Sequence, residues 1–65
     1  MNERERIGKR IADIRKETGI SQAKLAEMSG LDQGHIARIE LGKYNVGIDT
    51  LSKIAEVFHK KVDIV

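Results

Sequence analysis

Twice in this chain the same four-part signal recurs: a glycine, a large aliphatic residue, a helix-capping residue, and a second aliphatic residue four positions beyond the cap. The first copy is Gly19, Ile20, Ser21 and Leu25, and the second is Gly30, Leu31, Asp32 and Ile36. In each copy the serine or aspartate side chain can accept a hydrogen bond from the unpaired N–H groups of a starting helix. The two aliphatic residues on either side of the cap form a hydrophobic staple. The glycine takes the left-handed conformation that closes the helix before it. Two starts so near each other leave space for only a short helix between them. The middle of the chain must therefore be a pair of short helices joined by a tight turn at Gly30.

The remaining elements follow from spacing. A first helix is predicted from Glu3 to Thr18, capped by Asn2 with Glu5 at the third helical position, and Ile7, Ile11 and Ile14 recur on one face before Gly19 stops it. The second helix ends at Ser29. The third starts at the Asp32 cap, buries Ile36 and Ile39, and is closed by Gly42. After a loop of Lys43, Tyr44, Asn45 and Val46, the spacing of Ile48, Leu51, Ile54, Ala55 and Phe58 draws a fourth amphipathic helix, with Gly47 or Asp49 as cap and Lys53 and Glu56 on its polar face. From Lys61 to Val65 the period changes, Val62 and Ile64 alternating with Lys61 and Asp63 as in a half-buried strand. Such a strand pairs with something or frays. The expected fold is all-α: one domain over residues 1–65, a compact bundle of four to five helices with a short strand-like tail at 61–65.

Composition bounds the function. A chain of 65 residues buries only about 60% of its unfolded surface, so pairing with a second copy is the available reinforcement when no cysteine can supply a staple or a zinc site. Two histidines without a carboxylate cluster make a poor metal site. A net charge of +2 and a pI near 9.2 permit a polyanionic partner without establishing one. No apolar run approaches the roughly 20 residues of a membrane span. Arg4 and Arg6 alternate with Glu3 and Glu5 where a signal peptide would need an apolar core, so a cytoplasmic protein without a membrane partner is expected.

Two helices that cross steeply need a small residue where they touch, here Ala26, and a turn residue tolerant of positive φ, here Gly30, with Ile36 wedging the second helix against the first. Leu25, Leu31 and Ile39 surround these three, and Glu40, Gly42 and Lys43 close the unit. In this combination the stretch from Gln22 to Glu40 resembles the helix-turn-helix of the lambda-type phage repressor and Cro family, also called the xenobiotic-response-element family, and the likeness spans helices one to four. The resemblance implies a helix-turn-helix over residues 21–41 with its recognition helix at 32–41. It implies double-stranded operator DNA as partner, most naturally an inverted repeat read by a homodimer. It implies a phosphate contact from Gln22, and a partly buried ion pair between Arg15 and Glu40 that fixes the angle between helix one and the recognition helix.

Alanine, glycine and isoleucine at helix contacts would serve any compact four-helix domain, so function has to be sought on the outward face of the third helix. With Ile36 and Ile39 inward, Gly34, Ala37, Arg38 and Leu41 point outward and Gln33 flanks the N-terminal end. Arg38 can bond a guanine bidentately, Gln33 an adenine, and Ala37 a thymine methyl. Gly34 adds no side chain but allows close backbone approach. Phosphate contacts are expected from Ser21 and Gln22 at a helix N-terminus and from Lys43, Tyr44 and Asn45 after the recognition helix. Tyr44 has an alternative, packing against the fourth helix, and Lys24 has one as plain solvated surface. His35 reads as a groove-edge or capping residue and His59 as the polar end of the fourth helix. Arg4, Arg6, Lys9, Arg10 and Lys16 are interleaved with Glu3, Glu5, Asp13 and Glu17, an ordinary solvated face with short-range pairing.

These residues point to a sequence-specific DNA-binding transcriptional regulator, a repressor, that needs no cofactor. Two other readings use the same fold: an interaction module that binds a protein, favoured by Leu41 and the sparse base-reading set, and the antitoxin of a toxin-antitoxin pair, whose partner is a toxin protein. No serine, histidine and acid constellation and no phosphate-binding glycine loop supports an enzyme.

Overall fold

A computed structural model describes residues 1–64 and contains four helices: α1 (Glu3–Glu17), α2 (Gln22–Ser29), α3 (Gln33–Glu40) and α4 (Ile48–Val57). The expected all-helical architecture is observed. Three of the four starts are made by side chains. Asn2 Oδ1 accepts the Glu5 N–H at 2.9 Å while Glu5 Oε1 accepts the Asn2 N–H at 3.0 Å, completing a capping box. Ser21 Oγ accepts the Lys24 N–H at 3.0 Å, and Asp32 Oδ2 accepts the His35 N–H at 3.1 Å. At the fourth start Gly47, not Asp49, occupies the cap position, and no side chain bonds there. Helix ends fall one residue short of the sequence reading, Thr18 and Leu41 serving as C-caps of α1 and α3.

Gly30 adopts φ +74° at the end of α2, a conformation that costs any residue with a Cβ roughly 1–2 kcal/mol. The chain can then turn sharply from α2 into α3. The core is Ile11, Leu25, Ala26, Ile36, Ile39 and Ile54, sealed at its margin by Ile7, Ile20, Leu31, Val46, Leu51, Val57 and Phe58. α3 packs on both α1 and α2, and α4 packs on α2. α2 and α3 thus each pack on two neighbours, and α3 keeps one face in solvent.

Two expectations fail at the far end. Ile48, read as part of the buried stripe of α4, is 71% exposed at the first position of that helix, next to a cap that makes no side-chain hydrogen bond. The tail forms no strand among the described residues: 61–64 have no ladder partner, Ile64 is almost fully exposed, and Val65 lies outside the described residues. Val62 lies along an open apolar groove bounded by Ile7, Ile14, Leu51 and Phe58.

Candidate nucleic-acid interface

α3 is gripped from behind by a polar lock. Arg15 on α1 donates from Nε to Glu40 Oε2 at 2.7 Å and from Nη2 to Glu40 Oε1 at 3.1 Å, while its Nη1 reaches the Ile20 carbonyl at 2.9 Å. The two side chains are only 12% and 6% exposed. The hydrogen bond to Glu40 pushes the Arg15 guanidinium further toward its charged form, against the opposing effect of burial. Gln22, at the first position of α2, adds a third member by donating from Nε2 to Glu40 Oε1 at 2.9 Å. The Glu40 carboxylate thus ties together α1, α2 and α3, and Arg15 adds the chain entering α2.

This geometry changes what Gln22 can contribute. One of its amide hydrogens is committed to Glu40, leaving the second hydrogen and the backbone N–H groups of Gln22 and Ala23 for an outside acceptor. Ser21 beside it is likewise committed through its oxygen to the Lys24 N–H, though its hydroxyl hydrogen stays available.

A second feature behind α3 was not singled out from the sequence. Gly8, buried in the middle of α1, lies against the last turn of α3: a Cβ there would overlap the Ile39 carbonyl oxygen and come within 2.9 Å of the Glu40 carbonyl oxygen. The two helices touch backbone to side-chain-free backbone. A signal was present, since glycine inside a helix costs about 1 kcal/mol relative to alanine and this one has no turn to explain it.

On the front of α3, Gln33, Gly34 and Arg38 are exposed, Ala37 is half-buried, and Leu41 beyond the last turn is 65% exposed. His35 does not face outward with them. Its ring is half-buried, its Nε2 is enclosed without a hydrogen-bond partner, and it meets the Tyr44 ring edge-on with centroids 4.5 Å apart. Tyr44 therefore packs against α3 through the His35 ring, and remains 39% exposed. Lys43 and Asn45 on either side of it are exposed. The chain leaves α3 by a closed turn in which the Lys43 N–H donates to the Arg38 carbonyl at 3.0 Å. In the chain, Ser21 and Gln22 come before the exposed face at the start of α2, and Lys43 to Asn45 come after it at the end of α3.

Residues 11–65 match the model of a family described as helix-turn-helix. The chain belongs to the helix-turn-helix family. Among its relatives, this helix-turn-helix chain is 43% identical over 51 residues to the HTH-type transcriptional regulator PuuR of Escherichia coli K12, an alignment covering 78% of this chain and 28% of PuuR. It is 41% identical over 49 residues to the immunity repressor protein of Bacillus phage phi105, covering 75% of this chain and 34% of the repressor. The chain thus spans about a third or less of the length of these two relatives. A solved structure, the restriction-modification controller protein C.AhdI from Aeromonas hydrophila, superposes with a TM-score of 0.86 at 31% identity, covering 89% of this chain and 84% of that one. The resemblance to lambda-type repressors carried by residues Gln22 to Glu40 agrees with this membership.

Proposed function

We propose that this helix-turn-helix domain is a sequence-specific DNA-binding transcriptional regulator that represses by occupying operator DNA, with α3 in the major groove. One observation carries the reading. α3 is sealed into the core through Ile36 and Ile39, locked from behind at Glu40, and open in front, where Arg38 is in none of the ion pairs among the described residues. A cation left unpaired on a rigid helix is what reading a guanine edge requires. Ser21, Gln22, Lys43, Tyr44 and Asn45 then serve as backbone contacts that set the register, and Gln33, Gly34, Ala37 and Arg38 face the bases.

One α3 offers few base contacts, so the domain acts as a homodimer on an inverted repeat whose half-sites lie about 34 Å apart. The exposed Ile48, Val62 and Ile64 are apolar surface that a second copy would cover. The relatives support the reading, being named as transcriptional regulators and as a phage repressor. Among the described residues no helix is long and apolar enough to cross a membrane.

The test is binding to the DNA upstream of the protein's own gene against scrambled DNA of equal length, across a salt series, alongside the mass in solution. The expected preference is about 10³-fold or more, abolished by Arg38→Ala. The exposed Leu41 favours a second reading, a module of the same fold that binds protein, a toxin included. Equal weak binding to both DNAs would select it.

A further inference from the structure

Arg38 is rooted in the last turn of α3, yet its guanidinium does not stand over its own Cα. A Cβ built on Gly34 would lie 3.6 Å from Arg38 Nη1, and 3.5 Å and 3.9 Å from the two carboxylate oxygens of Asp32. Both charged groups therefore border one spot on the helix surface, the bare Cα of Gly34. The Arg38 side chain lies flat along α3 and reaches back a full turn, with Asp32 as the far wall. Asp32 is fixed, because its Oδ2 is held by the His35 N–H at 3.1 Å. Cation and anion thus flank a position that carries no side chain, and no ion pair joins them.

We propose that Gly34 and Asp32 are positioning residues for Arg38, and that they set which base pair it reads. This rests on the operator reading above. With the guanidinium laid over the first turn of α3, Arg38 meets a guanine that faces Gly34, not one that faces its own Cα. The displacement spans four residues, about 6 Å of helix, enough to change which base edge the guanidinium meets. Lying against the backbone also restricts the side chain before DNA arrives, lowering the ordering cost of binding. The sparse front of α3 is thereby concentrated at its N-terminal turn, where Gln33 also lies. The three distances around Gly34 are ordinary contacts, so a methyl group fits beneath the guanidinium. A longer side chain would occupy the guanidinium's place.

The experiment is selection of binding sites from a randomised duplex library by the full chain, followed by affinities for the selected site in a double-mutant cycle. Wild type should select a guanine that Arg38→Ala no longer selects. Gly34→Ala should keep the motif and bind within about twofold. Gly34→Leu, a good helix former at an exposed position, should move or lose the guanine and weaken binding about tenfold or more. In the Arg38→Ala background the same leucine substitution should cost about twofold or less. Asp32→Asn keeps a helix cap and should weaken the preference at that one base pair. An equal cost of Gly34→Leu in both backgrounds would mean that it merely blocks approach to the groove, and the inference would be wrong. An unchanged motif in Gly34→Leu or Asp32→Asn would also overturn it. No motif from wild type would overturn it together with the operator reading.

Discussion

Where α1 meets α3, boundaries and crossing are set by directed contacts: a capping box at Asn2, caps at Ser21 and Asp32, the Arg15–Glu40–Gln22 lock, and the backbone approach at Gly8. At α4 none of these devices is present. Its start has no side-chain cap, its first residue Ile48 faces solvent, and beyond it an apolar groove stays open beside Val62. Non-directional burial of Ile54, Leu51, Val57 and Phe58 holds it. Polar contacts fix an orientation to within a fraction of an ångström, whereas apolar burial supplies attraction with little angular preference. The end that must present α3 at a defined angle has the first kind, and the other end has the second.

The contrast can be broken most directly at Glu40. Glu40→Ala leaves the Arg15 charge nearly buried and unpaired, and should cost about 3–5 kcal/mol. That is comparable with the entire stability of a domain this size, so thermal unfolding should show it as a large fall in midpoint. A midpoint within two or three degrees of wild type would mean that the lock does not govern this end. Gly8→Ala comes next. Its methyl group meets carbonyl oxygens that cannot swing aside, so a cost of about 1–3 kcal/mol is expected by denaturant titration, with weaker DNA binding because α3 must shift. The caps should then distinguish the two regions by sign. Asp32→Ala should lose about 1 kcal/mol, while Gly47→Ser should gain a few tenths, since α4 lacks what α3 already has. The smallest effect belongs to the exposed pair at the start of α1. Arg6 donates two hydrogen bonds to Glu3, both at 2.7 Å, and these hold the Glu3 carboxyl below its ordinary value. A depressed folded-state value adds stability above the unfolded value that disappears as pH falls through the folded one. A carbon-detected titration should therefore place the Glu3 midpoint below that of an unpaired glutamate, and Arg6→Gln should restore it.

The same contrast explains what was legible in the sequence. Caps and staples act over five residues or fewer, so Asn2, Ser21 and Asp32 announce themselves, and Gly30 follows from the turn they require. Periodicity placed α4 and its core residues Leu51, Ile54 and Phe58. Periodicity marks a face and not how far along the helix that face is covered, so it counts Ile48 as buried. Arg15 and Glu40 were paired through family likeness. Gln22 as their third member depends on two helices crossing at one angle and leaves no mark in local spacing. His35 faces Tyr44 for a similar reason, since the loop after α3 folds back in a way that helical geometry does not specify. Gly8 is intermediate: its cost inside a helix is visible in the sequence, but the surface it admits is not.

α3 carries two sets of instructions at different phases of the same turns. Ile36, Ile39 and Glu40 hold the helix in place, while Gln33, Gly34 and Arg38 face away, and no residue belongs to both sets. Substitutions on the outward phase can accumulate at nearly constant stability, so the scaffold can drift from one target to another without passing through an unfolded ancestor.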